Sequence, residues 1–219
     1  MKTYLSIITI SLLLLCSCGT QQTRLSMYPK MYEEKPLTIL VMPPINNTNH
    51  AEAKDYFYSS LAKPLAEKGY YVVSPYLALD LLKQESAYDS EMFINGSLAP
   101  FKNVFGADAA LFTTINKWEK QSALSYINVG IEYVLKSTKT GEILFKRSGE
   151  LKVNISSGTG GLLGMAIDMI KTATTDKIVA ARKCNTFVLQ DLPQGAYHPL
   201  FDKDQKVAVG KQELKGSVK

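Results

Sequence analysis

The 219-residue chain holds two histidines, three cysteines and one tryptophan, and each shortage narrows the chemistry available. His50 and His198 stand alone, with no carboxylate or thiolate at ligand spacing beside them, so the sequence offers no metal centre. No Gly-x-Ser-x-Gly segment is present to set a serine on a strained strand-to-helix turn, although residue counts alone leave a Ser-His-Asp arrangement open. The net charge of +5, from 25 basic and 20 acidic residues, is spread along the chain without a dense basic block and is a weak argument for nucleic acid or anionic lipid. Gly158, Gly160 and Gly164 match a spacing used to cradle phosphate. They follow an expected antiparallel hairpin near the end of the chain, however, and no lysine stands in the phosphate position, so they read as a close-packing helix entry. No cofactor is therefore expected. Cys184, remote from the two cysteines near the start, reads as a small buried hydrophobe rather than a redox group.

What is present is concentrated at the start. MKTYLSIITISLLLLCSCG combines a basic Lys2, an apolar run from Tyr4 to Leu15 and small residues before a cysteine, the order of an export signal with a processing site. The run is shorter than the roughly 20 apolar residues that cross a bilayer. Cys16 follows bulky Leu15 and Cys18 follows small Ser17, which favours Cys18 as the new N-terminus. The segment resembles the bacterial lipobox. That resemblance implies a diacylglyceryl thioether on Cys18, an acyl group such as palmitate on its amine, and, since Gly19 rather than aspartate follows, the outer membrane of a Gram-negative cell. Two or more acyl chains anchor stably, because each buried methylene contributes about 0.8 kcal/mol. Residues 1–17 then form the signal peptide, 18–36 a lipidated tether able to span several nanometres when extended, 37–201 a single α/β domain including a C-terminal arm, and 202–219 a polar, frayed tail.

Within the domain, Leu37–Met42 is an apolar run ended by Pro43-Pro44, the pattern of a strand buried on both faces. Asn46 to Asn49 offer caps for a helix whose Ala53, Phe57, Leu61 and Leu65 recur on one face, with a kink at Pro64 and a stop at Gly69. Tyr70–Val73 predicts a second strand. Ser74-Pro75 opens a helix with Leu77, Leu81 and Leu82 inward, and a short helix near Pro100 buries Phe101, Val104 and Phe105. Ala110–Trp118 is strand-like. Ile127, Val129, Ile131, Tyr133 and Leu135 alternate, and Tyr126–Ile155 predicts an antiparallel hairpin turning at Ser137–Gly141. A last helix is expected over Leu162–Lys183. Its start is apolar on nearly all sides, so Leu162, Leu163, Ile167 and Ile170 are candidates for a homo-oligomer interface.

ILVMPPINNT (Ile39–Thr48), PLAEKGYYVVSP (Pro64–Pro75), GADAALFTTINKW (Gly106–Trp118) and LPQGAYHPLF (Leu192–Phe201) together resemble an uncharacterised family of bacterial lipoproteins. More distantly, Leu37–Val153 is similar to the soluble domain of the curli-secretion lipoprotein and to the lipoprotein activator of penicillin-binding proteins. The resemblance implies an α/β fold, a mixed sheet with an antiparallel hairpin and helices packed on it. It also implies a non-enzymatic accessory role in envelope assembly or export. Alternatives are a component of a curli-type secretion channel partnered with that lipoprotein, or a small-ligand binder or enzyme using the Asn46-Asn47 turn. That turn lies where open α/β sheets bind ligands. Pro43, Pro44, Asn46 and Asn47 are accordingly the candidate partner-binding residues, and the membrane and other envelope proteins are the expected partners.

Overall fold

A computed structural model describes residues 21–121, 126–155 and 173–218. Cys18, the glycine cluster and the expected oligomer residues Leu162, Leu163, Ile167 and Ile170 lie outside the described residues. Helices α1 (Arg24–Met27) and α2 (Pro29–Glu34) precede strand β1 (Thr38–Val41) and the short β2 (Ile45–Asn46). Next come α3 (Ala53–Ser60), α4 (Ala62–Glu67), β3 (Tyr71–Val72), α5 (Pro75–Gln84), α6 (Ser90–Ile94) and α7 (Ala99–Phe105). The long strands β4 (Ala109–Gln121), β5 (Tyr126–Ser137) and β6 (Ile143–Asn154) follow, then α8 (Ala173–Val188), a 3-10 turn (Leu189–Asp191) and β7 (Glu213–Val218).

The sheet runs β3-β1-β4-β5-β6-β7, with β2 also on β4. β1 is parallel to β3 and β4, β4-β5-β6 are antiparallel, and β7 is parallel to β6. This is the mixed sheet that the family resemblance implies. Its pairing follows from chain connection: a tight turn joins β5 to β6, whereas β1, β3 and β4 are linked through helices and must run parallel. Gly141, at φ +74°, closes the hairpin turn in a conformation open to glycine at little cost.

Both faces of the sheet are covered. On one face Ile39, Val41, Leu111, Ile131 and Phe145 pack with Phe57, Leu61 and Leu65, with Ala180 and Cys184 of α8, and with Tyr28 and Met31 of the N-terminal segment. On the other, Leu40, Met42, Ala110 and Phe112 meet Ala78, Leu82, Leu98 and Phe101. Ala53, Phe57, Leu61 and Leu65 are all fully buried, as their spacing requires. The helix breaks at Leu61 between α3 and α4, three residues before Pro64, because Pro64 has no N–H to donate to the Ser60 carbonyl. Tyr133 of β5 ties the layers together: its hydroxyl donates to Asn185 Oδ1, and Asn185 Nδ2 donates to Ser60 Oγ (2.9 Å) and the Phe57 carbonyl (3.3 Å).

Several expectations need correction. Arg24–Met27 and Pro29–Glu34 are helical and docked, so most of the expected 18–36 tether belongs to the folded body. Thr23 caps α1 through a reciprocal pair with Ser26, and Tyr28 packs against Phe145 with the rings tilted and 4.7 Å between centroids. The expected polar tail 202–219 contributes β7, which gains ladder hydrogen bonds from β6 and so needs little apolar burial of its own. Leu77 and Val104 are exposed, because α5 and α7 each turn only a narrow stripe inward, through Ala78 and Leu82 and through Phe101. Helix α6 has no counterpart among the expected elements; Asp89 caps it by accepting from the Glu91 amide.

Candidate docking surface at the strand ends

β1 ends where Pro43-Pro44 removes two amide donors from the ladder. The Met42 amide still reaches the Leu111 carbonyl (3.0 Å), pairing resumes at Ile45-Thr114 and Asn46-Ile115, and the Asn47 amide donates to the Ile115 carbonyl (2.9 Å). The double proline is therefore a bulge within one interrupted strand. Pro44 is buried, and the Pro43 carbonyl accepts from Ser90 Oγ at 2.5 Å.

The two asparagines divide the work. Asn46 closes a local turn: its Oδ1 accepts from the Thr48 amide (3.1 Å) and hydroxyl (2.8 Å), and its Nδ2 donates to the His50 carbonyl (2.9 Å). Thr48 Oγ1 in turn accepts from the His50 amide (3.2 Å). Neither asparagine caps α3, whose N-cap is Glu52 without a side-chain cap bond. Glu52 instead meets Lys177 of α8 at 2.5 Å, and that ammonium holds its carboxyl below the usual range. Asn47 is exposed, with its Nδ2 on Asn116 Oδ1 at 2.9 Å. Asn116 is itself extra in the ladder, since the β4-β5 register shifts between Ile115 and Lys117, and the bulge turns its amide outward toward Asn47. Gly130 faces this irregularity. A Cβ there would lie 2.9 Å from the Lys117 Cβ, so the close approach of β5 to β4 requires glycine.

Asn47 to His50 and Asn116 to Glu119 line a pocket of about 240 Å³. A shallow trough of about 440 Å³ adjoins it over Gly130, walled by Lys117, Glu132, Glu150 and Lys215. Trp118 is buried beneath, edge-on to Phe57 at 5.4 Å. Pro43, Pro44, Asn46 and Asn47 are thus brought together, yet only Asn47 is presented to solvent. Asn116, Lys117 and Glu132 join it from the sheet; their signal in sequence is the break in strand alternation at Asn116. The surface offers amides, a hydroxyl and mixed charges, groups that can recognise a partner by hydrogen bonding.

His50 lies on the rim, 3.7 Å from Glu52. His198 lies in the C-terminal arm, where its Nδ1 accepts from the Leu200 amide. Among the described residues no group of His, Cys, Asp and Glu is arranged to hold a metal ion. Cys184 is fully buried, and burial pushes its thiol well above the usual range. The C-terminal arm closes the opposite end of the helical layer: Gly195 donates to the Lys68 carbonyl (2.8 Å), Tyr197 donates to the Gly69 carbonyl (3.0 Å), and Tyr70 OH donates to the Pro193 carbonyl (2.7 Å). Two buried ion pairs fix it, Arg24–Asp204 at 2.5 Å and Arg147–Asp191 at 2.6 Å.

Fold and surface together define a small mixed α/β domain with a hydrogen-bonding surface at its strand ends. A family model described as "Putative lipoprotein GNA1162-like" matches residues 27–191, well over half of the chain, and the chain belongs to that family. A Neisseria meningitidis serogroup B protein described as "Putative lipoprotein NMB1124/NMB1162" is 25% identical over 173 residues, covering 76% of this chain and 80% of the relative. The crystal structure of lipoprotein GNA1162 from Neisseria meningitidis aligns at 25% identity over 62% of this chain and 94% of its own, with a TM-score of 0.49. The PelC dodecamer from Paraburkholderia phytofirmans aligns at 16% identity over 74% and 89%, with a TM-score of 0.40.

Proposed function

We propose that the protein is an outer-membrane lipoprotein, anchored through acylated Cys18 after removal of residues 1–17 and facing the periplasm. There it acts as a non-enzymatic docking component for another envelope protein. Membership of a lipoprotein family supports the class. The observation that carries the docking reading is the division between the asparagines: Asn46 is consumed by its own turn, whereas Asn47 is held outward by the Asn116 bulge. A hydrogen-bonding group fixed at the edge of a trough recognises a partner with little ordering cost.

The test compares three variants in crosslinked envelopes. Cys18→Ala should lose acyl attachment and leave the outer-membrane fraction, while Asn47→Ala should stay folded and anchored but recover its partner poorly. Asn46→Ala should instead lower thermal stability, by about 1 kcal/mol for the lost turn bonds. Acylated Cys16 in mass spectra of the mature protein would overturn the anchor assignment. An Asn47→Ala protein that recovers the same partners in the same yield would overturn the docking surface.

A further inference from the structure

The folded body begins almost at the anchor. The Val209 amide donates to the Gln22 carbonyl (2.9 Å), the Arg24 amide to the Val207 carbonyl (2.9 Å) and the Leu25 amide to the Gln205 carbonyl (3.1 Å), and Thr23 bridges antiparallel to Ala208. Arg24, buried beneath, holds Asp204 at 2.5 Å. Only four residue steps separate Cys18 from Gln22, a span of at most about 14 Å. With Cys18 acylated, Gln22 and the 205–209 segment paired beside it stand within reach of the membrane surface, no farther than this leash allows.

Their outward side chains suit that position. Leu25 is 41% exposed and Val207 44%, on neighbouring main-chain positions, and Lys203 and Lys206 beside them are exposed. The acids of the same stretch are already neutralised, Asp202 by Lys35 at 2.6 Å and Asp204 by Arg24. Lys203 and Lys206 have no acidic partner among the described residues, so the stretch faces outward as two apolar side chains bordered by uncompensated positive charge.

We propose that Gln22–Leu25 and Lys203–Val207 form a second, non-covalent contact with the phospholipid surface, Leu25 and Val207 entering the headgroup layer while Lys203 and Lys206 meet anionic phosphates. The inference rests on the reading of Cys18 as the anchor. The contact fixes the orientation of the domain, which a single flexible anchor would leave free.

The test uses the mature acylated protein in vesicles containing phosphatidylglycerol, with a fluorophore on Val207→Cys or, as control, on Met92→Cys. Met92 is 67% exposed on α6, which packs on the other face of the sheet, and buried Cys184 does not compete for label. Lipids brominated near the headgroup should quench the label at 207 and leave that at 92 bright. Lys203→Ala with Lys206→Ala should shift the contact equilibrium about 5-fold per lysine, and 0.5 M salt should act in the same direction by screening. Protein that floats with the vesicles while the two labels are quenched equally, or neither is quenched, would overturn the contact. Equal quenching at 207 on purely zwitterionic vesicles would overturn the role of the lysines. Failure to float at all would overturn the anchor reading, and this inference with it.

Discussion

Asp204→Ala tests how firmly the N-terminal segment is held. The Asp204 side chain is 1% exposed and accepts from Arg24 Nη1 at 2.5 Å, from the Gln194 amide at 2.9 Å and from Tyr32 OH at 3.1 Å. Truncation leaves the Arg24 guanidinium, itself 8% exposed, buried without a counter-charge. Removing one member of a buried pair costs about 3–5 kcal/mol, much of it desolvation of the survivor. In a domain of this size each kcal/mol lowers the thermal midpoint by about 2–4 °C, so the drop should be roughly 6–20 °C. Circular dichroism during heating and urea unfolding measures it. The double variant Arg24→Met with Asp204→Leu removes both charges, and should recover the part of the loss due to the unpaired guanidinium while the Gln194 amide and Tyr32 hydroxyl still lack their acceptor. A single variant that loses under about 1 kcal/mol, or a double variant as unstable as the single, would refute the claim that this pair is what seats the segment.

Two further perturbations probe the same layer. Burial lowers the Lys68 amine to about 8, from 10.5; the unfolded chain therefore binds the extra proton between those values, and this group's unfavourable contribution, full below pH 8, fades as pH rises through the window. The stability difference between wild type and Lys68→Met should accordingly move in favour of wild type between pH 7.5 and 9.5, and a flat difference by urea unfolding would refute the shift. In Gly195→Ala the new Cβ would stand 2.5 Å from the Gly69 carbonyl oxygen and 2.8 Å from the Tyr70 ring. Backbone cannot yield there, so thermal unfolding should register about 1–3 kcal/mol of destabilisation, and a change under about 0.5 kcal/mol would mean that the arm lifts freely.

Where a local pattern suffices, the fold is readable from the sequence. The apolar run before Pro43-Pro44 becomes β1, the fourfold spacing of Ala53, Phe57, Leu61 and Leu65 becomes a buried helical stripe, and Gly69 and Gly106 stop their helices with φ of +85° and +65°. Where burial depends on a distant partner, sequence reasoning fails. Arg24 looks like a solvated charge until Asp204, 180 positions away, is placed against it. Fully buried Arg147 reads as an outward strand residue until Asp191 and the Val188 and Lys211 carbonyls surround it. β7 carries Lys215 and Gly216 and shows no apolar alternation, because as an edge strand it is held by ladder bonds rather than by its side chains. At the candidate site, the asparagine pair was legible as a hydrogen-bonding turn. Its division into a consumed Asn46 and a presented Asn47 was not, since that depends on a bulge almost seventy residues later.

The docked N-terminal segment changes what a partner must do. A flexible tether over residues 18–36 could extend about 65 Å, letting the strand-end surface search far into the periplasm. With the body joined to the chain at Gln22, the proposed anchorage at Cys18 would leave a leash of about 14 Å, and a domain of this size measures about 40 Å across. A partner that binds Asn47 must then come within about 55 Å of the anchoring membrane. Along β4, Asn116 lies three residues beyond Thr113, which is level with Tyr133 and Arg147, a displacement of about 10 Å toward the end of the long strands. Asp191, at the start of the arm, meets the sheet at Arg147, so under the proposed anchoring at Cys18 a load on Asn47 would be carried through the β4-β5-β6 ladder and the Arg147–Asp191 and Arg24–Asp204 pairs.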